Sequence, residues 1–234
     1  IERLEIRDLG FSYPQGNKIF EHLNFNAKPG QVIGVTGPIA CGKSTLGRVF
    51  LCEYLYAGEI LIDGKELMSF EELERLSLVG YMGHQPELMS DTVKENISLG
   101  EEKEIQPYLE AVCLENEVNE DTMIGNGGVR LSGGQQARVA LARTLYHRRP
   151  IIILDDPFSA VDAKTEVEIM ENVRKLATDS IVIILSHRLY LFPTFDKVIW
   201  MEEGRCSVGT HEELMKTQQG YKELYQMQKK GVKL

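Results

Sequence analysis

The sequence lacks the features that would assign it to a membrane, secreted or repeat class of protein. No apolar run approaches the roughly 18 residues of a membrane-spanning helix, because the longest runs, 151–154 and 181–185, have only the length of buried strands. No signal peptide, internal repeat or low-complexity linker is recognisable in the chain. The first residue is isoleucine rather than methionine, so we expect a domain excised from a longer protein.

Cysteine is scarce and basic charge is in deficit. The four cysteines form no CxxC pair and no metal-ligand spacing, so we interpret them as reduced thiols of a cytosolic environment. Lysine and arginine number 26 against 35 acidic residues, which gives a formal net charge of −9. This balance argues against nucleic acid as a partner, because binding a phosphate backbone requires a basic face.

What is present is an alternation of apolar strands with helical segments, within 234 residues that are 43% hydrophobic. The string "QVIGVTG" and the two longest apolar runs are typical of buried strands, and 76–85 is interpreted as a strand ending near Gly83. The block 86–149 is rich in helix formers. We therefore predict one α/β domain over 1–234 with a mostly parallel sheet. Its predicted parts are a core with a β lobe (1–85 and 150–210), a helical lobe (86–149) and C-terminal helices (211–234).

The most familiar motif lies between a predicted strand and a predicted helix. "GPIACGKST", residues 37–45, fits G-x-x-x-x-G-K-[ST]. Gly37 and Gly42 let backbone amides turn inward as an anion nest, Lys43 can reach the β- and γ-phosphates, and the Ser44 hydroxyl can ligate magnesium. The other predicted nucleotide contacts in the loop are Ala40, Cys41 and Thr45. The motif predicts a nucleoside triphosphate site.

A site of this kind needs a carboxylate for its metal at the end of a neighbouring buried strand. "IIILD" supplies Asp155, which we expect to bind magnesium through water. The alternative for Asp155 alone is a helix-capping aspartate that follows a strand.

"LSGGQQARVALAR", residues 131–143, is the most specific string in the chain. Ser132, Gly133 and Gly134 stand at the start of a predicted helix and would form a second anion-binding N-terminus, although a plain N-cap is the alternative for these three residues alone. With "IIILDD" following, the sequence resembles the nucleotide-binding domain of ABC transporters over nearly its whole length.

The resemblance implies a P-loop NTPase core of RecA type, an antiparallel β subdomain and an inserted α-helical subdomain. It also implies ATP and Mg²⁺ as ligands, with two nucleotides held in a head-to-tail dimer. In that dimer the signature residues of one chain close over the phosphate loop of the other. The signature residues of this chain are Ser132, Gly133, Gly134 and Gln135.

Four further residues take their predicted roles from the resemblance. Tyr13 would stack on adenine, Gln85 would touch magnesium and relay to a membrane domain, Asp162 would lie in the dimer-contact loop, and His187 would hold the γ-phosphate. Each has a plainer alternative: an amphipathic strand residue, a surface loop residue, a helix N-cap and a loop histidine, respectively.

Asp156 departs from the family pattern, in which glutamate polarises the attacking water. Aspartate is one methylene shorter, which removes on the order of 1.3 Å of reach, and a misplacement of ~1 Å can cost about a hundredfold in rate. We therefore expect a catalytic set of Asp156, His187, Gln85 and Lys43 with slow hydrolysis and retained ATP binding. The alternative is that a backbone adjustment restores full activity.

"LDDPFSAVD" resembles the weakened site of asymmetric ABC exporters, whose altered chain carries an intact signature, as this one does. We therefore expect a non-identical partner domain whose own acid is glutamate. A second departure is Asn126, which stands where exporters commonly have an acidic residue facing the membrane domain.

The predicted function is the ATP-driven motor of a membrane exporter, attached to a transmembrane domain and lying at the cytoplasmic face of the membrane. The segments 91–100 and 209–228 resemble exporter sequences. Two alternatives stay open, the ATPase subunit of an importer and an ATP-gated regulatory module with little hydrolysis. A chromosome-type ATPase would need a long coiled coil between Ser44 and Leu131, which the sequence does not have.

Overall fold

The computed structural model describes residues 1–125 and 130–231, and these form a mixed α/β domain. The strands of the described residues are β1 Leu4–Ser12, β2 Lys18–Ala27, β3 Val32–Thr36, β4 Ala57–Ile62, β5 Lys65–Glu66, β6 Val79–Met82, β7 Ile151–Asp155, β8 Ile181–Leu185, β9 Lys197–Glu202 and β10 Arg205–Gly209. Their helices are α1 Lys43–Val49, α2 Glu72–Leu78, α3 Val93–Ser98, α4 Gln106–Ala111, α5 Gly133–Tyr146, α6 Ala163–Leu176, α7 His211–Thr217 and α8 Gln219–Gly231. Short 3₁₀ turns cover Leu67–Ser69 and Phe192–Thr194.

All the strands belong to one curled sheet in the order β5-β4-β1-β2-β10-β9-β3-β8-β7-β6. From β9 to β6 the neighbouring strands are parallel, whereas β5, β4, β1 and β2 pair antiparallel. Every residue of β3, β7 and β8 is buried, as expected of parallel strands covered on both faces. The carboxyl ends of β3, β6, β7 and β8 therefore meet at one edge of the sheet.

The apolar side chains form two cores, one on each face of the parallel strands. Successive side chains of a strand point to opposite faces, so Ile151 and Ile153 join the core that contains α1 and the antiparallel strands. Ile152 and Leu154 join the core that contains α5, α6 and the buried Tyr221 of α8. The "III" run of β7 thus faces both cores at once.

Three helices begin at side chains that the sequence marks as caps. Ser132 and Thr210 form reciprocal capping boxes with Gln135 and Glu213, and the Asp162 carboxylate accepts a hydrogen bond from the backbone N–H of Thr165 at 3.0 Å. Such caps bind backbone donors that a helix leaves unpaired in its first turn. They fix where α5, α6 and α7 begin.

The predicted α/β fold with a mostly parallel sheet, an antiparallel β part and an inserted helical part is confirmed. The strand interpretation of 76–85 is wrong at its start, because residues 76–78 belong to α2 and the strand covers only Val79–Met82. Asn126 lies outside the described residues. No helix within 1–125 and 130–231 combines the length and apolar character needed to cross a membrane.

Candidate functional site

The loops that follow four parallel strands carry most of the predicted site residues. The phosphate loop follows β3, and His84 and Gln85 follow β6. Asp155 ends β7, Asp156 follows it, and His187 follows β8. Ligands of open α/β sheets bind at the carboxyl ends of the strands. The topology therefore brings residues that are far apart in sequence to one edge.

The phosphate loop has a backbone that restricts the residue types it accepts. Ala40 has φ 62° and Gly42 has φ 102°, both in the left-handed region. A Cβ atom on Gly42 would lie 2.4 Å from Cγ2 of Ile19, so a larger residue at this position would displace the Ile19 side chain. The curled loop ends at Lys43, which is the first residue of α1.

Lys43 lies inside this loop rather than against an acid. Its Nζ atom is 3.4 Å from the carbonyl oxygen of Gly37 and 3.7 Å from Sγ of Cys41. Among the described residues Lys43 forms no ion pair. A pocket of about 310 Å³ adjoins it, lined by Ile19 and by residues 40–45, including the exposed Ser44. A cation at the base of a concave loop of amides fits a phosphate group.

Tyr13 follows β1 and adjoins the phosphate loop. Its hydroxyl lies 3.5 Å from Oγ1 of Thr45, and its ring makes edge contacts with Phe11 and Tyr54 at centroid distances of 4.9 and 5.7 Å. The side chain of Tyr13 remains 40% exposed. An aromatic face that is fixed by its neighbours and partly open can receive a planar ring.

The two adjacent acids have different surroundings. Asp155 is buried, and its carboxylate accepts a hydrogen bond from the Tyr81 hydroxyl at 3.2 Å. Burial, together with this carboxylate, raises the pKa of Tyr81 to about 12, so the tyrosine stays a donor. Asp156 has φ 50°, and both of its carboxylate oxygens lie 3.0 Å from Nδ1 of His187. Nδ1 of His84 lies 3.5 Å from the same carboxylate.

This corner has the donor chemistry of a divalent-cation site. One ligand atom each from His84, Asp155 and Asp156 lie within 4.8 Å of one another. Asp155 pairs with no lysine or arginine in the part of the chain that the structure describes. Carboxylate oxygens and hydroxyls are the ligands that magnesium prefers, so the residues present fit that ion.

The structure adds two residues that were not predicted from the sequence, His84 and Tyr81. Gln85 remains a prediction. Gln85 is exposed and forms no hydrogen bond within the described residues. The signal for His84 was available, because it follows β6 at the same sheet edge as Asp155. Tyr81 lies within β6, which pairs with β7 with Tyr81 opposite Ile153.

The signature residues lie at the start of α5 and are bonded mainly to one another. Ser132 Oγ accepts a hydrogen bond from the Gln135 N–H at 3.2 Å, and Gln135 Oε1 accepts one from the Ser132 N–H at 2.9 Å. Gln135 Nε2 donates to Glu117 at 2.8 Å. A Cβ atom on Gly134 would lie 2.6 Å from the carbonyl oxygen of Ala160, whereas one on Gly133 would meet open space.

The signature turn therefore packs against the loop that precedes Asp162 and opens to solvent at Gly133. Within the described residues no hydrogen bond or ion pair joins Ser132–Gln135 to the phosphate loop 37–45. Asp162 is exposed, and its carboxylate is occupied by the cap of α6. The structure brings Asp155, Asp156 and His187 together, and within the described residues no hydrogen bond or ion pair joins the signature turn to them.

The fold and the site define a class of protein. A parallel sheet in which β3 leads through a glycine loop into α1, with paired carboxylates ending β7, is that of a P-loop nucleoside triphosphatase. The family model described as "ABC transporter" matches residues 20–159. The chain belongs to the ABC transporter family, and it is a nucleotide-binding domain of the exporter type.

The chain is similar in sequence to known ABC proteins and similar in structure to a solved ABC exporter. The chain is 35% identical over 232 residues to "Multidrug resistance-like ATP-binding protein MdlA" of Buchnera aphidicola subsp. Schizaphis graminum, covering 94% of this chain and 40% of that protein. It is 33% identical over 239 residues to "ATP-dependent lipid A-core flippase" of Hahella chejuensis, a match that covers 97% of this chain and 41% of that protein. A bacterial Atm1-family ABC exporter solved with ATP bound is 27% identical to the chain, with a TM-score of 0.88. The match covers 99% of this chain and 42% of the exporter chain. The chain spans less than half the length of these relatives.

Proposed function

We propose that this chain binds ATP with magnesium and hydrolyses it slowly, as the motor domain of an ABC exporter. The observation that carries the proposal is the sheet edge at which two adjacent carboxylates meet Lys43, a lysine that forms no ion pair within the described residues. Lys43 and the amides of residues 37–45 bind the β- and γ-phosphates, and Tyr13 offers its ring to the adenine. We also propose that the chain consists of a core with a β lobe (1–85 and 150–210), a helical lobe (86–149) and C-terminal helices (211–234).

For the metal, the chain offers Ser44, Asp155 and Gln85, to which the structure adds His84 as a neighbour. When bound, magnesium neutralises charge that develops on the phosphate oxygens. The Tyr81 hydroxyl donates to one oxygen of Asp155, so it orients the carboxylate without neutralising it.

For hydrolysis, Asp156 polarises the attacking water and His187 contacts the γ-phosphate. Two features of Asp156 favour a slow reaction. Its side chain is one methylene shorter than glutamate, and both of its oxygens lie 3.0 Å from Nδ1 of His187. A carboxylate held by an imidazole is less available to a water molecule than a carboxylate directed at the phosphate.

The signature turn supports a second chain as partner. Gly133 faces open space, and no bond joins Ser132–Gln135 to the phosphate loop within the described residues. We propose that Ser132, Gly133, Gly134 and Gln135 close over the phosphates of another nucleotide-binding domain, with Asp162 at the contact. That partner is a non-identical chain with glutamate at the catalytic position, and a transmembrane domain holds both chains at the cytoplasmic face of the membrane.

A single-turnover assay tests the proposal. The purified chain is mixed with ATP and magnesium, alone and together with a partner domain that carries glutamate. We expect tight binding with slow turnover for the chain alone, and faster turnover for the mixture. Absence of ATP binding, with Lys43→Ala as the reference for an inactive loop, would contradict the assignment of the site.

One observation favours a second candidate, an ATP-gated module that binds and closes but hydrolyses almost nothing. That observation is the contact of His187 with both oxygens of Asp156. The two candidates differ in the chemical step alone. Product formation in the single-turnover assay supports the motor, and bound but intact ATP supports the module.

A further inference from the structure

The loop that carries His187 is bonded to a helix near the end of the described chain. Gln228 of α8 accepts a hydrogen bond at Oε1 from the backbone N–H of Leu189 at 2.8 Å. Its Nε2 group donates to the carbonyl oxygen of His187 at 2.6 Å. One side-chain amide thus bonds two backbone groups of the loop in the manner of a neighbouring strand.

The helix that presents Gln228 is itself fixed. Tyr221 of α8 is fully buried, and its hydroxyl lies 2.7 Å from Nδ1 of His211 in α7. Its ring packs edge-on against Trp200 of β9 at a centroid distance of 5.8 Å. The first turn of α8 is therefore anchored to the sheet, and Gln228 extends from an anchored helix.

The same loop is held on its other side by Arg188. The guanidinium donates to the carbonyl oxygens of Phe158 and Val161, the latter at 2.8 Å. It also forms an ion pair with the buried Glu166 of α6 at 2.8 Å. These contacts join the loop to the segment that precedes Asp162.

Between α8 and this loop lies a cavity of about 230 Å³. Its lining residues are Ala163, Arg188, Leu189, Tyr190, Tyr225, Gln228 and Lys229. Side chains on this flank leave a gap instead of packing tightly on the backbone of the loop. On this flank the two hydrogen bonds of Gln228 join α8 directly to the loop backbone.

We propose that Gln228 is a positioning residue for ATP hydrolysis, which acts by fixing the backbone of His187 and Leu189 and so the position from which the His187 imidazole contacts the γ-phosphate. The inference rests on the proposed function of His187. An amide is required because one backbone group needs an acceptor and the other needs a donor. Glutamate supplies the acceptor but sets a carboxylate oxygen against the His187 carbonyl.

The test compares Gln228→Met with Gln226→Met in the purified chain. Methionine is unbranched and of similar length but forms no comparable hydrogen bonds, and Gln226 is an exposed glutamine two positions away on the same helix. We expect Gln228→Met to lower the single-turnover rate at saturating ATP about tenfold, because displacements of ~1 Å in such sites can cost a hundredfold. ATP affinity should stay within about twofold, since the phosphate loop is not touched.

Two readouts do not require turnover. Amide exchange at Leu189 should accelerate in Gln228→Met, and the ring signal of His187 in the ATP-bound chain, assigned with His187→Gln, should shift. Gln228→Glu should show an intermediate exchange rate because it keeps the acceptor for Leu189. Gln226→Met should resemble the wild type in every measurement.

The outcomes separate this inference from the function on which it rests. If the wild type binds ATP without hydrolysing it, the proposed hydrolysis fails, yet a shifted His187 signal in Gln228→Met still supports the positioning role. An unmoved His187 signal in Gln228→Met overturns the role. Where the wild type hydrolyses ATP, a Gln228→Met chain with the turnover rate of Gln226→Met overturns it too. A loss of rate that comes only with a matching loss of ATP affinity overturns it as well.

Discussion

The carboxyl edge of the sheet and the signature turn are both polar and both lie near helix starts, but they differ in how their charges and donors are used. At the sheet edge Lys43 forms no ion pair within the described residues, and Asp155 and Asp156 stand side by side. At the signature turn Ser132 and Gln135 bond each other, and Gln135 also bonds Glu117.

This difference between the sheet edge and the signature turn bears on which of them would bind a ligand without a partner. Charges of both signs held apart at a sheet edge favour a ligand that carries phosphate and metal together. A capped helix start offers backbone donors, the Ser132 hydroxyl and an open face at Gly133, so we propose that it contributes to a site supplied by another chain. We expect substitutions at the sheet edge to act within this chain and those at the signature turn to act on a partner.

Lys43→Ala gives the largest expected effect. Removal of the ammonium should weaken ATP binding by at least about a hundredfold, since hydrogen bonds to charged groups contribute ~1.5–3 kcal/mol each. Calorimetric titration of ATP into the purified chain measures it. Lys94→Ala, which changes an exposed lysine of α3, is the control and should bind as the wild type does. Unchanged ATP binding in Lys43→Ala would contradict the expectation that the sheet edge of this chain binds ATP without a partner.

Asp155→Asn, combined with metal removal, tests the twin acids through the response of ATP binding to magnesium. The asparagine oxygen can still accept from Tyr81, so the substitution removes the charge with little change of shape. Chelation of magnesium should weaken ATP binding of the wild type by roughly tenfold, and Asp155→Asn should bind weakly with or without the metal. Asp179→Asn, at an exposed surface aspartate, should keep the full response to chelation, as the wild type does. A metal response of normal size in Asp155→Asn would mean that another residue binds the ion.

Much of the sheet edge could be predicted from the sequence because its residues follow short apolar strands. The run at 151–155 and the loop 37–45 mark both the strand and its carboxyl end, and parallel pairing then brings them together. The alternation of buried residues within β1 is interrupted. Its buried positions change from Leu4 and Ile6 to Leu9 and Phe11 because an irregularity at Asp8, with φ 48°, shifts the alternation.

Contacts between distant segments could not be predicted in this way. Gln228 bonds a loop about 40 positions earlier in the chain, and nothing in the pattern of α8 distinguishes it from Gln226. The boundary at 76–79 was missed for a related reason. Its apolar run continues from α2 into β6, and the capping box at Glu71 and Glu74 that begins the helix lies upstream of that run.

Asp156→Glu tests whether the acid that differs from the family pattern limits the rate. The longer side chain should raise the single-turnover rate by roughly tenfold, up to a hundredfold if the missing reach of ~1 Å is the whole cause. Glutamate is less suited than aspartate to a left-handed φ of 50°, so stability should fall by up to about 1 kcal/mol. Asp156→Asn, which removes the charge without changing the length, is the control and should lower the rate. A flat or lower rate in Asp156→Glu would refute the view that length limits turnover.

Ser132→Ala has the smallest expected effect on this chain. It tests most directly whether the signature turn acts on a partner while the sheet edge acts within this chain. Loss of the cap to the Gln135 N–H should cost about 1 kcal/mol of stability, measured by thermal unfolding. Thr210→Ala removes the matching cap of α7, which has a 3.2 Å bond to the Glu213 N–H, and should cost about the same. Only Ser132→Ala should slow turnover at the partner's site in a mixture, while ATP binding by this chain stays unchanged. If Ser132→Ala and Thr210→Ala change turnover at the partner's site equally, the signature turn acts only as a helix cap.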